Sequence, residues 1–394
     1  MQRKFLFGLI LLVMNLAFLE VISFSIGNWF IPNRVIFNPS FSDEAIDKLL
    51  RSYEKYLEIR DPITGWPLKD RIGDPEKRLQ ERYDEIGSRY IPAFKDPSIH
   101  KACVSLFGDS FTYSSEVDDE YAWSNVLSEK LNCRVNNFGA GGFGSDQAYL
   151  RFESYPSRPP VVFLNHLSEN IIRNSTQFRA MVLGYDRSKK NYSFKPKFII
   201  DDTGELQYIR LPQIKVEDYI DALYNPGEYL PYDFFLPGGE SGINRLEFPY
   251  TWTLIKTLNH YHVKAKLLGL SWYTPFYETD HPADGLRVTA GIMLRFKELA
   301  LERGQQPVLT VIPTGQDLEH YNEHGVWPYQ NLLDLLQENN ADVVNFGEGL
   351  MQRVGDGDPC DLFDSCKNHF NEQGYEYLAE IAYETIQDRK LSLE

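Results

Sequence analysis

Gly108, Asp109 and Ser110 follow directly on the apolar run 102–107 in "ACVSLFGDSFTYS". A serine where a buried strand gives way to a helix presents its hydroxyl at a tight turn. The first N–H groups of that helix then face any negative charge developing beside it. This suits a nucleophile that attacks a carbonyl carbon, and Ser110 is the candidate. Such a serine needs a base. His369, in "CDLFDSCKNHFNEQGYEYLAE", stands just before a helix capped by Asn371, where an imidazole can take the serine proton and return it to a leaving alcohol. Between the two in sequence lies "NNFGAGGFGSDQ", whose Gly139, Gly141, Gly142 and Gly144 leave the backbone bare enough for an N–H to approach a substrate oxygen. Gly-Asp-Ser by itself is also ordinary turn and N-cap chemistry. The order serine, glycine loop, histidine is what makes a constellation.

The elements that must position these groups alternate. Strand-like "ACVSLF", "CRVNNF" and "PVVFLNH" are each followed by a helix-like stretch, and the alternation resumes at 287–304 with a helix, "PVLTVIP", a helix, "ADVVNF" and a last helix. Short, nearly continuous apolar strands separated by amphipathic helices predict an α/β fold, a flavodoxin-like three-layer α/β/α sandwich with a parallel sheet. Ligands of such sheets bind beyond the carboxyl ends of the strands, where the first strand delivers Ser110. Residues 190–212 read as a β-hairpin turning at Asp-Thr-Gly. They open an insertion at about 185–284 that is rich in aromatics and prolines, suited to stacking on sugar rings or, more simply, to forming its own small core.

The first thirty residues form a separate segment. After "MQRK" comes a run from Phe5 to Ser25 long enough to cross a bilayer core of roughly 30 Å. Glu20 weakens the span but lies close enough to its end to reach the interface. Small-x-small occurs only as "SFS" at 23–25, so a retained anchor is expected rather than a cleaved leader. Arg3 and Lys4 place the N-terminus in the cytoplasm and the rest outside, periplasmic or at the cell surface. The expected organisation is an anchor at 1–30, a juxtamembrane stalk with a helix at 31–99, and the α/β domain at 100–394. Net charge is −16, with no dense Lys/Arg cluster, so nucleic acid is not an expected partner. Four cysteines allow bridges at Cys103/Cys133 or Cys360/Cys366 or buried thiols. "HYH" at 260–262 puts two imidazoles on one side of a strand, but no third ligand is near and no metal is expected. His100, His281, His320 and His324 read as surface residues. "NST" at 174 and "NYS" at 191 are sequons in form only.

These residues resemble the SGNH/GDSL hydrolase superfamily, in particular its membrane-anchored, extracytoplasmic bacterial-type members, over roughly 100–180 and 285–385. The resemblance implies that Ser110 is nucleophile and one oxyanion donor, and that Gly142, with Gly139 as fallback, is the second. An asparagine after the third strand completes the oxyanion hole in that family. Asn170 takes this role here, since Asn165 still lies within the strand and His166 packs. The family's Asp-x-x-His is broken, because Cys366 stands three residues before His369. Asp364 is therefore the expected acid, with Asp361 or a backbone carbonyl as alternatives, and Asp109 is structural. The implied activity is that of a serine esterase working through an acyl-enzyme on O-acyl, above all O-acetyl, esters of an envelope glycan, with no cofactor. The alternatives are acyl transfer onto an exported polysaccharide and a non-catalytic glycan-binding protein that keeps the fold.

Overall fold

The computed structural model describes residues 2–31, 35–66, 83–183 and 194–394. The chain packs as two units, the larger made of 59–175, 195–211 and 273–394, the smaller of 1–58, 176–194 and 212–272. In chain order the strands are β1 (Ile36–Phe37), β2 (Ala102–Phe107), β3 (Arg134–Asn137), β4 (Val161–Leu167), β5 (Lys197–Ile200), β6 (Leu206–Ile209), β7 (Asn244–Arg245), β8 (Gln306–Ile312) and β9 (Val343–Asn345).

In the larger unit five parallel strands pair in the order β3-β2-β4-β8-β9. Counted by their own succession this is 2-1-3-4-5, the order of a flavodoxin-like sheet. Every residue of β4 is buried. Successive side chains of a strand point to opposite faces, so both faces of the sheet are covered. Fully burying a side chain such as Val161, Phe163 or Leu164 contributes roughly 1.5–3 kcal/mol each. On one side the helices Ser145–Ser154 and Gly285–Glu302 pack together, with Phe152 and Phe296 ring centroids 4.3 Å apart. A second group, Trp123–Leu131, Phe346–Val354 and Glu372–Asp388, packs about the last of these. Register does the positioning. Leu106 pairs with Asn137, Phe107 with Leu164 and Leu167 with Ile312, so the loops after β2, β3, β4 and β8 leave one edge of the sheet.

Disulfides join Cys103 to Cys133 at the start of β2 and β3, and Cys360 to Cys366 in the loop before His369. Such bonds persist in oxidising compartments, so with the apolar N-terminal helix, signal or anchor, they point to an exported protein. The hairpin β5–β6 forms as read, with Asp201 Oδ1 accepting from the N–H groups of Thr203 and Glu205 in the turn. It belongs to the larger unit, where Leu206 lies against Gly291 of the helix Gly285–Glu302.

In the smaller unit the helix Asp43–Ile59 lays Tyr53 flat on Tyr219, 3.7 Å between centroids, and Tyr53 donates to the Ile214 carbonyl. Tyr219, Phe235 and Tyr261 are buried, so these aromatics of the insertion build a core rather than a sugar platform. The apolar helix Gln2–Ser25 packs against the helix Tyr250–Lys256. The Glu20 carboxylate accepts from Tyr250 N–H at 2.5 Å and Thr251 N–H at 3.3 Å, and Ser23 Oγ lies 2.9 Å from Thr251 Oγ1. The "HYH" stretch is not a strand: His260 caps the helix Tyr261–Leu267, its Nδ1 accepting from His262 N–H, so its imidazole is engaged in capping. Asn174 is buried in the larger unit and donates to Thr289, closing that sequon to glycan attachment in the folded chain. Asn191 lies outside the described residues.

Candidate active site

Ser110 is the first residue of a four-residue helix, Ser110–Tyr113, separated from β2 by Gly108 and Asp109. Asp109 caps it, its Oδ1 accepting from Phe111 N–H at 3.0 Å. Asp109 Oδ2 takes the Arg173 guanidinium at 2.9 Å, and Arg173 also reaches the Phe143 carbonyl and Glu169. Burial pushes the Asp109 carboxyl above its usual range, against the pull of Arg173. Removing one member of such a buried pair costs about 3–5 kcal/mol. Asp109 thus holds the turn and ties it to the helix after β4, as its structural reading required. Gly108 is demanded by the same turn, because a Cβ there would lie 2.0 Å from Thr112 Oγ1 and 3.0 Å from the Asn165 carbonyl oxygen.

His369 Nε2 lies 2.9 Å from Ser110 Oγ, across 259 residues of sequence. The ring packs on Phe111, 4.9 Å between centroids, and the helix that follows is capped by Asn371. Its Nδ1 faces two acceptors, Asn368 Oδ1 at 3.2 Å and Glu116 Oε1 at 3.7 Å. Acceptors there keep the proton on Nδ1 and leave the Nε2 lone pair to the serine. Partial burial holds the imidazole below its ordinary pKa, while the Glu116 charge pulls the other way. At neutral pH the ring is therefore a neutral base in hydrogen-bond reach of a hydroxyl.

The other predicted residues are placed less uniformly. Asp364 is exposed; its backbone N–H donates to the His369 carbonyl at 3.2 Å, and its carboxylate makes no hydrogen bond to the imidazole. The acid expected from the histidine's own block is thus replaced at Nδ1 by Glu116 and Asn368, because the loop closed by Cys360 and Cys366 turns the Asp364 side chain to solvent. Asp361 is also exposed, at the short helical turn Pro359–Leu362. Gly142 stands at the glycine loop with φ +78°. Gly139, its fallback, donates its N–H to Asn137 Oδ1 at 3.0 Å, so that amide is already engaged. It serves close packing instead, since a Cβ at 139 would lie 2.3 Å from Tyr113 N and 2.7 Å from the Asp109 carbonyl.

Asn170 opens the short helix after β4; it is fully buried, and neither its Oδ1 nor its Nδ2 has a hydrogen-bond partner among the described residues. An unpaired buried amide costs about 1–3 kcal/mol, so a group that binds there during the reaction would repair a deficit. Asn165 lies within β4 and accepts from Thr310 Oγ1 at 2.8 Å. His166 is packed between Ser145 and Tyr277, and burial holds its pKa down to about 3.

No protein-family model and no curated protein matches this chain. Its neighbours among solved structures include G-D-S-L lipolytic proteins and an acetyl xylan esterase. A member of the lipolytic protein G-D-S-L family from Veillonella parvula DSM 2008 is 14% identical, with 72% of this chain and 97% of that one covered at a TM-score of 0.35. The acetyl xylan esterase AlAXEase is 15% identical, with 72% and 98% covered at a TM-score of 0.33. Glu116, Asn368 and the Asp109–Arg173 pair were not legible as site residues. The one sequence signal was the Glu169/Arg173 spacing, which puts both on one side of a helical turn.

Proposed function

We propose that this chain is an exported serine ester hydrolase held to a membrane by its N-terminal helix. The observation that carries the reading is the 2.9 Å approach of His369 Nε2 to Ser110 Oγ. In the proposed reaction Ser110 Oγ attacks an ester carbonyl carbon as His369 takes its proton. The oxyanion is held by the N–H groups of Ser110 and Gly142 and by the Asn170 amide. The C–O bond to the alcohol then breaks, with His369 returning the proton to the departing oxygen. Water, deprotonated by the same imidazole, cleaves the acyl-enzyme and releases the acid. Asn368 and Glu116 hold Nδ1–H and steady the imidazolium formed at each step. No metal or organic cofactor enters.

The substrate we propose is an O-acyl, above all O-acetyl, ester on an envelope glycan. Support comes from the resemblance of the Ser110 and glycine-loop motifs and from the signs of export. Transfer to a sugar hydroxyl uses the same groups and differs only in the acceptor. The packing of Glu20 and Ser23 on the Tyr250 helix favours a retained anchor, since cleavage after Ser25 would remove those contacts.

The full-length protein in detergent is expected to hydrolyse a short-chain aryl acetate and to be labelled by a fluorophosphonate at Ser110. A rate unchanged in Ser110→Ala would dispose of the assignment. Glycan affinity with no labelling would favour the binding-protein alternative.

A further inference from the structure

The helix Tyr250–Lys256 and its continuation Thr257–Asn259 are inside out for a surface in water. The side chains they bury are hydroxylated: Thr253 is 4% exposed and Thr257 9%. Trp252, Ile255 and Leu258, spaced by three, stand 55%, 50% and 62% exposed, and Phe248, two residues ahead of the helix, is 73% exposed. Residues so spaced share one helix face. The buried hydroxyls are satisfied by the carbonyls of Glu247 and Leu254, so the orientation is stable as built. A continuous apolar stripe of this kind marks a face that meets something other than water.

Charge and place say what that is. From Phe248 to Trp272 there is no Asp or Glu, in a chain that has 56, while Lys256, Lys264 and Lys266 are all exposed. The start of the same helix sits on the N-terminal helix at Glu20, Ser23 and Phe24. The apolar stretch Arg3–Phe30 is 28 residues long. At roughly 1.5 Å per residue it spans about 42 Å, the thickness of a bilayer with its headgroups. Glu20, Ser23 and Phe24 lie in the outer half of that span, so the Tyr250 helix begins at the depth of the outer leaflet. An apolar stripe with lysines beside it is the composition of a helix lying in that interface, tryptophan among the headgroups and amines toward lipid phosphates.

We propose that residues 248–268 are a second membrane contact, lying in the outer leaflet of the same anionic bilayer that the N-terminal helix crosses. Leu267 and Leu268, 73% and 71% exposed, end the segment. The proposal rests on reading the N-terminal helix as a retained anchor, and it means that the smaller unit is held flat to the membrane rather than tethered above it.

The test uses the full-length protein in vesicles of phosphatidylethanolamine and phosphatidylglycerol whose acyl chains are brominated near the headgroup, since bromine quenches tryptophan in contact with it. Trp66, Trp123 and Trp327 are buried, Trp272 is half-buried and common to every variant, and W29F removes the exposed tryptophan of the N-terminal helix. W29F is expected to keep a quenched component that W29F/W252F loses. Ile255→Asp in the W29F background, which leaves Trp252 in place, is expected to reduce the quenching. Equal quenching in W29F and W29F/W252F overturns the proposal. Flotation separates the two readings: a chain that does not float with the vesicles refutes the anchor and this contact together. One that floats with Trp252 unquenched refutes the contact alone and gives that face to water or a protein partner.

Discussion

Glu116 brings its carboxylate to 3.7 Å from His369 Nδ1 out of a left-handed backbone, φ +74°. Ser114, two residues earlier, is also left-handed at φ +67°. Each such non-glycine residue costs roughly 1–3 kcal/mol, and together they fold the chain after the Ser110 helix back toward the imidazole. Strain at this place has a use if Glu116 supports the imidazole in the proposed reaction.

Glu116→Gln therefore has two expected effects. Loss of the charge destabilises the imidazolium, and because the pair is partly exposed, turnover falls about fivefold rather than the roughly 10⁴-fold of a buried acid. The Glu116 charge raises the His369 pKa, so its removal lowers that pKa and moves the acid limb of kcat/KM to lower pH. A kcat/KM profile that coincides with wild type would leave Asn368 as the orienting group.

Asp364→Asn is the matching control. Its carboxylate is exposed and unbonded to the ring, so turnover is expected within about threefold of wild type, an effect below roughly 1 kcal/mol. A loss of several hundredfold would return the acid's role to the loop before His369.

Asn170→Ala should separate stability from activity. Its buried amide has no partner among the described residues, so its loss is expected to leave thermal stability unchanged or raised, while removing the proposed oxyanion donor is expected to lower kcat about 10²–10³-fold. Calorimetry beside steady-state kinetics would show it; a lower Tm with intact kcat would make Asn170 structural.

Gly139→Ala puts a methyl into the backbone of Tyr113 and Asp109 and should destabilise the larger unit by about 1–3 kcal/mol. Fluorophosphonate labelling of Ser110 is expected to slow sharply as the turn shifts. Labelling at the wild-type rate would show that the turn yields without moving the nucleophile.

Reducing the bridges, or Cys360→Ser with Cys366→Ser, frees the loop ahead of His369 and is expected to cost about 2 kcal/mol together with part of the turnover. Unchanged rates and unchanged melting would mean that Asn371 capping and the Phe111 contact alone hold the imidazole.

The sequence by itself determined the sheet and singled out Ser110 and His369, which the fold brings to 2.9 Å of each other. Apolar runs such as "VVFLNH" have the length and flanks of a doubly covered strand, and Gly108 and Asn371 mark turn and cap by local chemistry. The tertiary structure alone decided what meets Nδ1, which glycine amide is already engaged, and that the hairpin packs with the larger unit. Those outcomes depend on left-handed backbone at Ser114 and Glu116, on a loop closed by a disulfide, and on approaches between segments far apart in the chain. No periodicity along a sequence records such geometry, because each contact is fixed by where two independently folded segments are brought together.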